Sequence, residues 1–124
     1  MIRVKLKALS LKQPWAWAIF HGKDVENRTW STPYSGKLLI HASKTVDEAG
    51  YLFLASRGIV PPPNLPRGQF VGEVNMVDCR SVDTVVSMWA FGPYCWIFAN
   101  AKEYEKPFIG RGKLGIFEVV VDNE

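Results

Sequence analysis

Three β-branched and aromatic runs follow one another in the second half of the chain: FVGEVNMVDC at residues 70–79, YCWIFANAKEY at 94–104 and LGIFEVVV at 114–121. Such residues suit a pleated, half-buried surface, so each run predicts a strand. Residues 8–11 and YSGKLLIHAS at 34–43 read the same way, and 24–30 alternates as extended chain does. Strands and helices do not alternate regularly along the chain. The expectation is therefore an α+β fold: at least five strands in a curled antiparallel or mixed sheet, barrel-like, with two or three short helices at its ends.

The helices announce themselves by their ends. Gln13 and Pro14 read as the N-cap and first position of a helix that Gly22 closes, because proline lacks an N–H where none is needed. Trp15, Ala18, Ile19 and Gly22 form its core face, adjoined by Ala16 and Phe20, while Trp17 and His21 point the other way. Thr45 and Glu48 form a capping box for a second helix with Ala49, Leu52, Phe53 and Ser56 on one face and Gly58 at its end. Ser81 caps a short helix reaching toward Ala90. VPPPNLPRG, with four of the eight prolines, must be a rigid surface loop.

A chain of 124 residues, 48% hydrophobic and 22% charged, matches one globular domain spanning residues 1–124. No internal repeat is visible. No run has the length of a signal peptide's apolar stretch or of a membrane span, so a cytoplasmic protein is expected. Cys79 and Cys95 form no CxxC or His/Cys cluster; reduced, packed thiols and no metal or other cofactor are expected. GRGKLG at 110–115 fits GxGxxG, yet a strand-like run follows it rather than a helix, which excludes a dinucleotide site. It leaves a glycine-rich loop carrying Arg111 and Lys113, suited to an anion. His21 and His41 have no placed partner and read as packing or surface residues.

Charge is spread unevenly. Residues 1–44 hold eight Lys/Arg against two acids, and residues 45–124 hold seven against ten. The basic portion includes GKDVENRTW at 22–30, directly after the apolar PWAWAIF. On a strand, Glu26 and Arg28 share a face, so the glutamate can orient a guanidinium that offers a fork to phosphate or a base edge. Lys23 sits ahead of them as a point contact for phosphate, or as a base if it is desolvated. A surface salt-bridge cluster contributes only about 0–1 kcal/mol, and it leaves unexplained the flat aromatics nearby, Trp17, Trp30 and Tyr34, which can stack on unpaired bases.

The stretch LSLKQPWAWAIFHGKDVENRTW resembles the start of an ASCH domain, the activating signal cointegrator homology family of the PUA-like superfamily. It shows a strand, a QPW helix, and then the family's GxKxxExR signature, whose lysine, glutamate and arginine fall on Lys23, Glu26 and Arg28, with Gly22 immediately ahead of the lysine. GKLLIHAS, GQFVGEVNMVDC and KPFIGRGKLGIFEV are similar to the family's later strands and glycine-rich loop. The resemblance implies a small PUA-like β-barrel of five to six mixed strands. It also implies RNA binding in a cleft, or, in some members, hydrolysis of acylated nucleosides or RNA. In the amidohydrolase-like branch the signature lysine acts with a threonine and a glutamate on a later strand. Lys23 and Glu73 match, but Glu26 stands where the threonine belongs, and Thr29 and Thr32 lack its spacing.

Two functions are thus expected. The first is a nucleic-acid-binding domain with RNA or a nucleotide-like anion as partner, using Lys23, Glu26, Arg28, Lys44, Arg111 and Lys113, with Trp17, Trp30 and Tyr34 for stacking. The alternative is a metal-independent hydrolase with Lys23 as base and Glu73 moving a proton.

Overall fold

Period-two burial builds the sheet. The computed structural model describes residues 2–123 and holds six strands: β1 (Ile2–Gln13), β2 (Val25–Arg28), β3 (Gly36–Val46), β4 (Gln69–Ser81), β5 (Tyr94–Ile109) and β6 (Ile116–Asn123). Along β1 and β3, Leu9, Leu11, Leu38, Ile40 and Ala42 face one core with Val71, Val74 and Met76 of β4 and Trp96 and Phe98 of β5. The intervening Ala8, Leu39, Phe70 and Phe117 join a smaller cluster on the opposite face. Burying each large apolar side chain contributes roughly 1.5–3 kcal/mol relative to exposure.

The sheet runs β2-β5-β4-β3-β1-β6. β1 and β3 pair parallel and the other neighbours antiparallel, which makes it mixed. It does not close into the expected barrel. β2 is only four residues long, pairs with β5 alone, and forms one edge, while β6 forms the other. The sheet nevertheless curls far enough for Arg28 on β2 to donate from Nη2 to the carbonyl of Ser10 on β1 at 2.9 Å. A side chain bridges the gap that a backbone ladder would fill in a barrel.

The helices are shorter than their sequence signals. α1 covers only Trp15–Ala18, with Pro14 at its N-cap. Gln13 still caps through its side chain, since its Oε1 accepts from the backbone N–H of Trp17 at 2.9 Å. Turns carry the chain from Ile19 to Gly22, whose φ of +108° suits glycine and sends the chain toward β2. Ala16 and Ile19 enter the main core.

α2 (Glu48–Ser56) is not opened by a Thr45/Glu48 box. Pairing of β3 with β1 extends to Val46 opposite Gln13, which keeps Thr45 in the strand and leaves Asp47 as the cap, accepting from Gly50 N–H. The helix is thereby rotated relative to expectation: Gly50 and Leu54 are buried, and Leu52 is 74% exposed. Gly58, with φ of +75°, ends it as expected. Ser81 precedes only a 3-10 turn at Val82–Thr84, and its hydroxyl bonds the Asp83 carboxylate rather than a backbone N–H. No helix among the described residues is long and apolar enough to cross a membrane.

Candidate functional site

β2 brings three ionised groups together. Lys23 is 5% exposed, Glu26 12% and Arg28 23% as side chains. The Lys23 ammonium donates to the carbonyl of Val25 at 2.6 Å and to Glu26 Oε1 at 3.1 Å, and it lies 5.3 Å from the centre of the Trp15 ring. The other carboxylate oxygen of Glu26 is 3.2 Å from Arg28 Nε. That approach is an ion-pair distance without hydrogen-bond alignment, so Arg28 Nε keeps an unused donor. Its guanidinium also lies 5.8 Å from the Trp96 ring centre.

Three adjoining hollows share lining residues around this triad, and together they are called the groove. At one end is a cavity of about 510 Å³, walled by Trp15, Phe53, Trp89 and Phe91 and edged by Lys23, Glu26, Asn27 and Asp47. Trp15, Glu26 and Asn27 also line a middle section of about 330 Å³, which includes Arg28. Ser10, Lys12, Ser43, Lys113 and Leu114 connect that section to a third of about 720 Å³, lined also by Lys44 and Arg111. None of the described residues lining the third section is acidic. Nor does Lys12, Lys44, Arg111 or Lys113 join an ion pair among the described residues.

The basic end is held in shape by a buried histidine. His41 Nε2 faces the carbonyl of Gly110 at 2.8 Å, and a carbonyl only accepts, so that nitrogen carries the proton. Nδ1 then accepts from the Ser10 hydroxyl at 2.9 Å. A Cβ at Gly112 would collide with Ser10 and His41, which is why the 110–115 loop needs glycine there.

The predicted residues separate into two sets. Lys23, Glu26, Arg28, Lys44, Arg111 and Lys113 all line the groove. Trp17 stacks on His21 at 4.3 Å and lines a different hollow beneath the proline loop. Tyr34 packs against the main core and donates to the Lys37 carbonyl. Trp30 stands edge-on to Trp96 at 4.7 Å, beside Gly115 at the groove's margin. Glu73 is not among the groove's lining residues. It pairs with Lys37 at 3.2 Å and accepts from the Tyr104 hydroxyl at 3.0 Å.

The aromatic wall escaped the sequence reading. Trp15 and Phe53 are expected on core faces, Trp89 falls within the short helix expected from Ser81 toward Ala90, and Phe91 falls in no expected element. Their one local signal is a Trp-Ala-Phe triplet, residues 89–91, held in an irregular stretch before Gly92 and Pro93.

Comparison with known proteins agrees with the architecture. A profile for the ASCH domain matches residues 9–108. Activating signal cointegrator 1 of Homo sapiens is 31% identical over 126 residues, covering 90% of this chain and 22% of that protein. Its counterpart in Mus musculus is 38% identical over 82 residues, covering 59% of this chain and 14% of that protein. The chain thus spans less than a quarter of either relative, and what the alignments share is a domain. On the match to residues 9–108, the chain belongs to the ASCH domain family.

Proposed function

We propose that this domain binds single-stranded or unpaired RNA along the groove. The observation that carries the reading is that four cations, unpaired among the described residues, and an aromatic cavity adjoin the Glu26/Arg28 pair through shared lining residues. Lys12, Lys44, Arg111 and Lys113 take the phosphates, the partly exposed Arg28 guanidinium adds positive charge midway, and an unpaired base leaves the strand to stack against Phe91, with Trp89 packed behind it. Phosphate contacts supply most of the affinity through counterion release, and stacking adds about 1–3 kcal/mol per base. The family's association with RNA binding supports the same reading. The hydrolase alternative draws no comparable support, because Lys23 donates to Val25 and Glu26 while Glu73 is engaged with Lys37 and Tyr104.

Fluorescence anisotropy with labelled single-stranded RNA tests the reading. Affinity is expected to fall steeply between about 50 and 200 mM salt. Each of Lys44→Gln, Arg111→Gln and Lys113→Gln is expected to lower the log–log salt slope by about 0.7, the share of one phosphate on a single strand. Absent or salt-insensitive binding overturns it.

A further inference from the structure

We propose that Asn27 is a positioning residue for base stacking: its amide ties the 85–93 loop to β2 and so holds Trp89 and Phe91 as the cavity's outer wall. The inference rests on the RNA-binding reading above and assigns a task to the signature strand that its charged residues do not perform.

The amide's bonding capacity is matched to the loop. Asn27 Oδ1 accepts from the backbone N–H of Phe91 at 2.9 Å and of Gly92 at 2.8 Å, which uses both lone pairs, and Nδ2 donates to the carbonyl of Trp89 at 2.9 Å. Three consecutive contacts on one short stretch of backbone fix the direction in which residues 89 and 91 present their rings. The loop is otherwise held by Trp89, with Val85 and Ala90 packed beside its cluster, and by the Val82 N–H on the Pro93 carbonyl at 3.0 Å. Val86, Met88 and Phe91 are exposed, and its backbone bond from Ala90 to Ser87 closes only a local turn. A second tie comes from just ahead of β2, where Asp24 accepts from the Ser87 hydroxyl at 2.8 Å.

Phe91 is 59% exposed and its ring meets Phe53 edge-on at 5.6 Å, so hydrogen bonding at its own N–H fixes the backbone from which that ring projects. Trp89 is buried against Val25, Leu54 and Cys95 and acts as the loop's apolar anchor. The aromatic wall is thus built from the strand that carries Glu26 and Arg28. One element sets both the charged and the stacking parts of the groove, and their spacing is fixed by β2 geometry rather than by a mobile loop.

Two RNA strands of equal length separate the roles, one complete and one with abasic central nucleotides. Their affinity ratio reads the base contribution, and the salt slope reads the phosphates. Asn27→Ala is expected to reduce the ratio about tenfold, within the range of one lost stacking contact, with the slope unchanged. Asn27→Asp keeps both acceptor contacts and sets a carboxylate oxygen against the Trp89 carbonyl, so its ratio should fall as well; it carries the comparison if Asn27→Ala does not fold. Amide exchange at Phe91 and Gly92 should be at least about tenfold faster in Asn27→Ala, with the β4–β5 ladder unchanged, as expected for freed loop amides. A ratio unaltered in both variants, or protection retained at both amides, overturns this proposal and leaves RNA binding standing. Failure of the wild-type chain to bind either strand overturns the RNA reading, and the stacking role falls with it.

Discussion

Lys23 is a cation withdrawn from water and neutralised on the spot. Glu26 serves it and Arg28 together, one carboxylate oxygen toward each. Breaking a buried pair from one side leaves an uncompensated charge, which costs far more than the pair contributes. Glu26→Ala should therefore destabilise the fold by on the order of 3 kcal/mol, whereas Lys23→Met with Glu26→Leu, which leaves only the more exposed Arg28 without its carboxylate, should cost less. Urea unfolding of the two variants checks the order, and equal losses would refute it. A second residue-scale expectation concerns Tyr104. Burial, first, and then its hydrogen bond to Glu73 and that carboxylate's charge raise its hydroxyl above the usual range. Above about pH 10 the unfolded chain releases a proton that the folded chain keeps, so the contribution is complete below that pH and is lost as pH rises. Stability measured from pH 9 to 12, a window set about the ordinary tyrosine value, should fall more steeply for the natural chain than for Tyr104→Phe. Lys23, Glu26 and Arg28 were legible in the sequence because the KxxExR spacing is local. The partners of Tyr104 and Glu73 were not, since a cross-strand contact 31 residues apart depends on register.

The elements show where local signals lose to pairing. Thr45 and Glu48 carry the capping-box spacing, yet the β1–β3 ladder claims Thr45, and Asp47 N–H bonds the Gln13 carbonyl at 2.8 Å. Cap and ladder compete for the same backbone, and the ladder wins because it belongs to the sheet's core. Asp47 then performs two tasks, accepting from Gly50 N–H and from Trp15 Nε1 at 2.7 Å. Asp47→Ala should cost roughly 2 kcal/mol, about 1 for the cap and about 1 for the unpaired indole N–H, measured by chemical denaturation. Thr45→Ala, at an exposed strand position, should stay within about 0.5 kcal/mol of wild type. The opposite order would restore the capping box. Short helices were recognisable by their boundary residues, but their phases were not, because a turn or two of helix takes its orientation from what it packs against.

At the scale of the molecule, the basic excess of residues 1–44 is divided by the fold. Lys7 pairs with Glu118 on β6 and Arg3 with Asp122, while Lys12 and Lys44 enter the groove and are joined there by Arg111 and Lys113 from far along the chain. In the salt experiment Lys7→Gln should accordingly retain the wild-type slope. The sequence by itself determined where strands form and that Glu26 and Arg28 of the KxxExR segment share a short strand, because periodicity and sterics act within a few residues. Only the tertiary structure decided that the sheet stays open, that Trp17, Tyr34 and Glu73 lie off the groove, and that Trp89 and Phe91 stand beside Asn27, more than sixty positions earlier. The physical reason is that β2 lies next to β5 through long-range hydrogen bonding, and such register is set by the burial of whole strand faces rather than by any local run of residues.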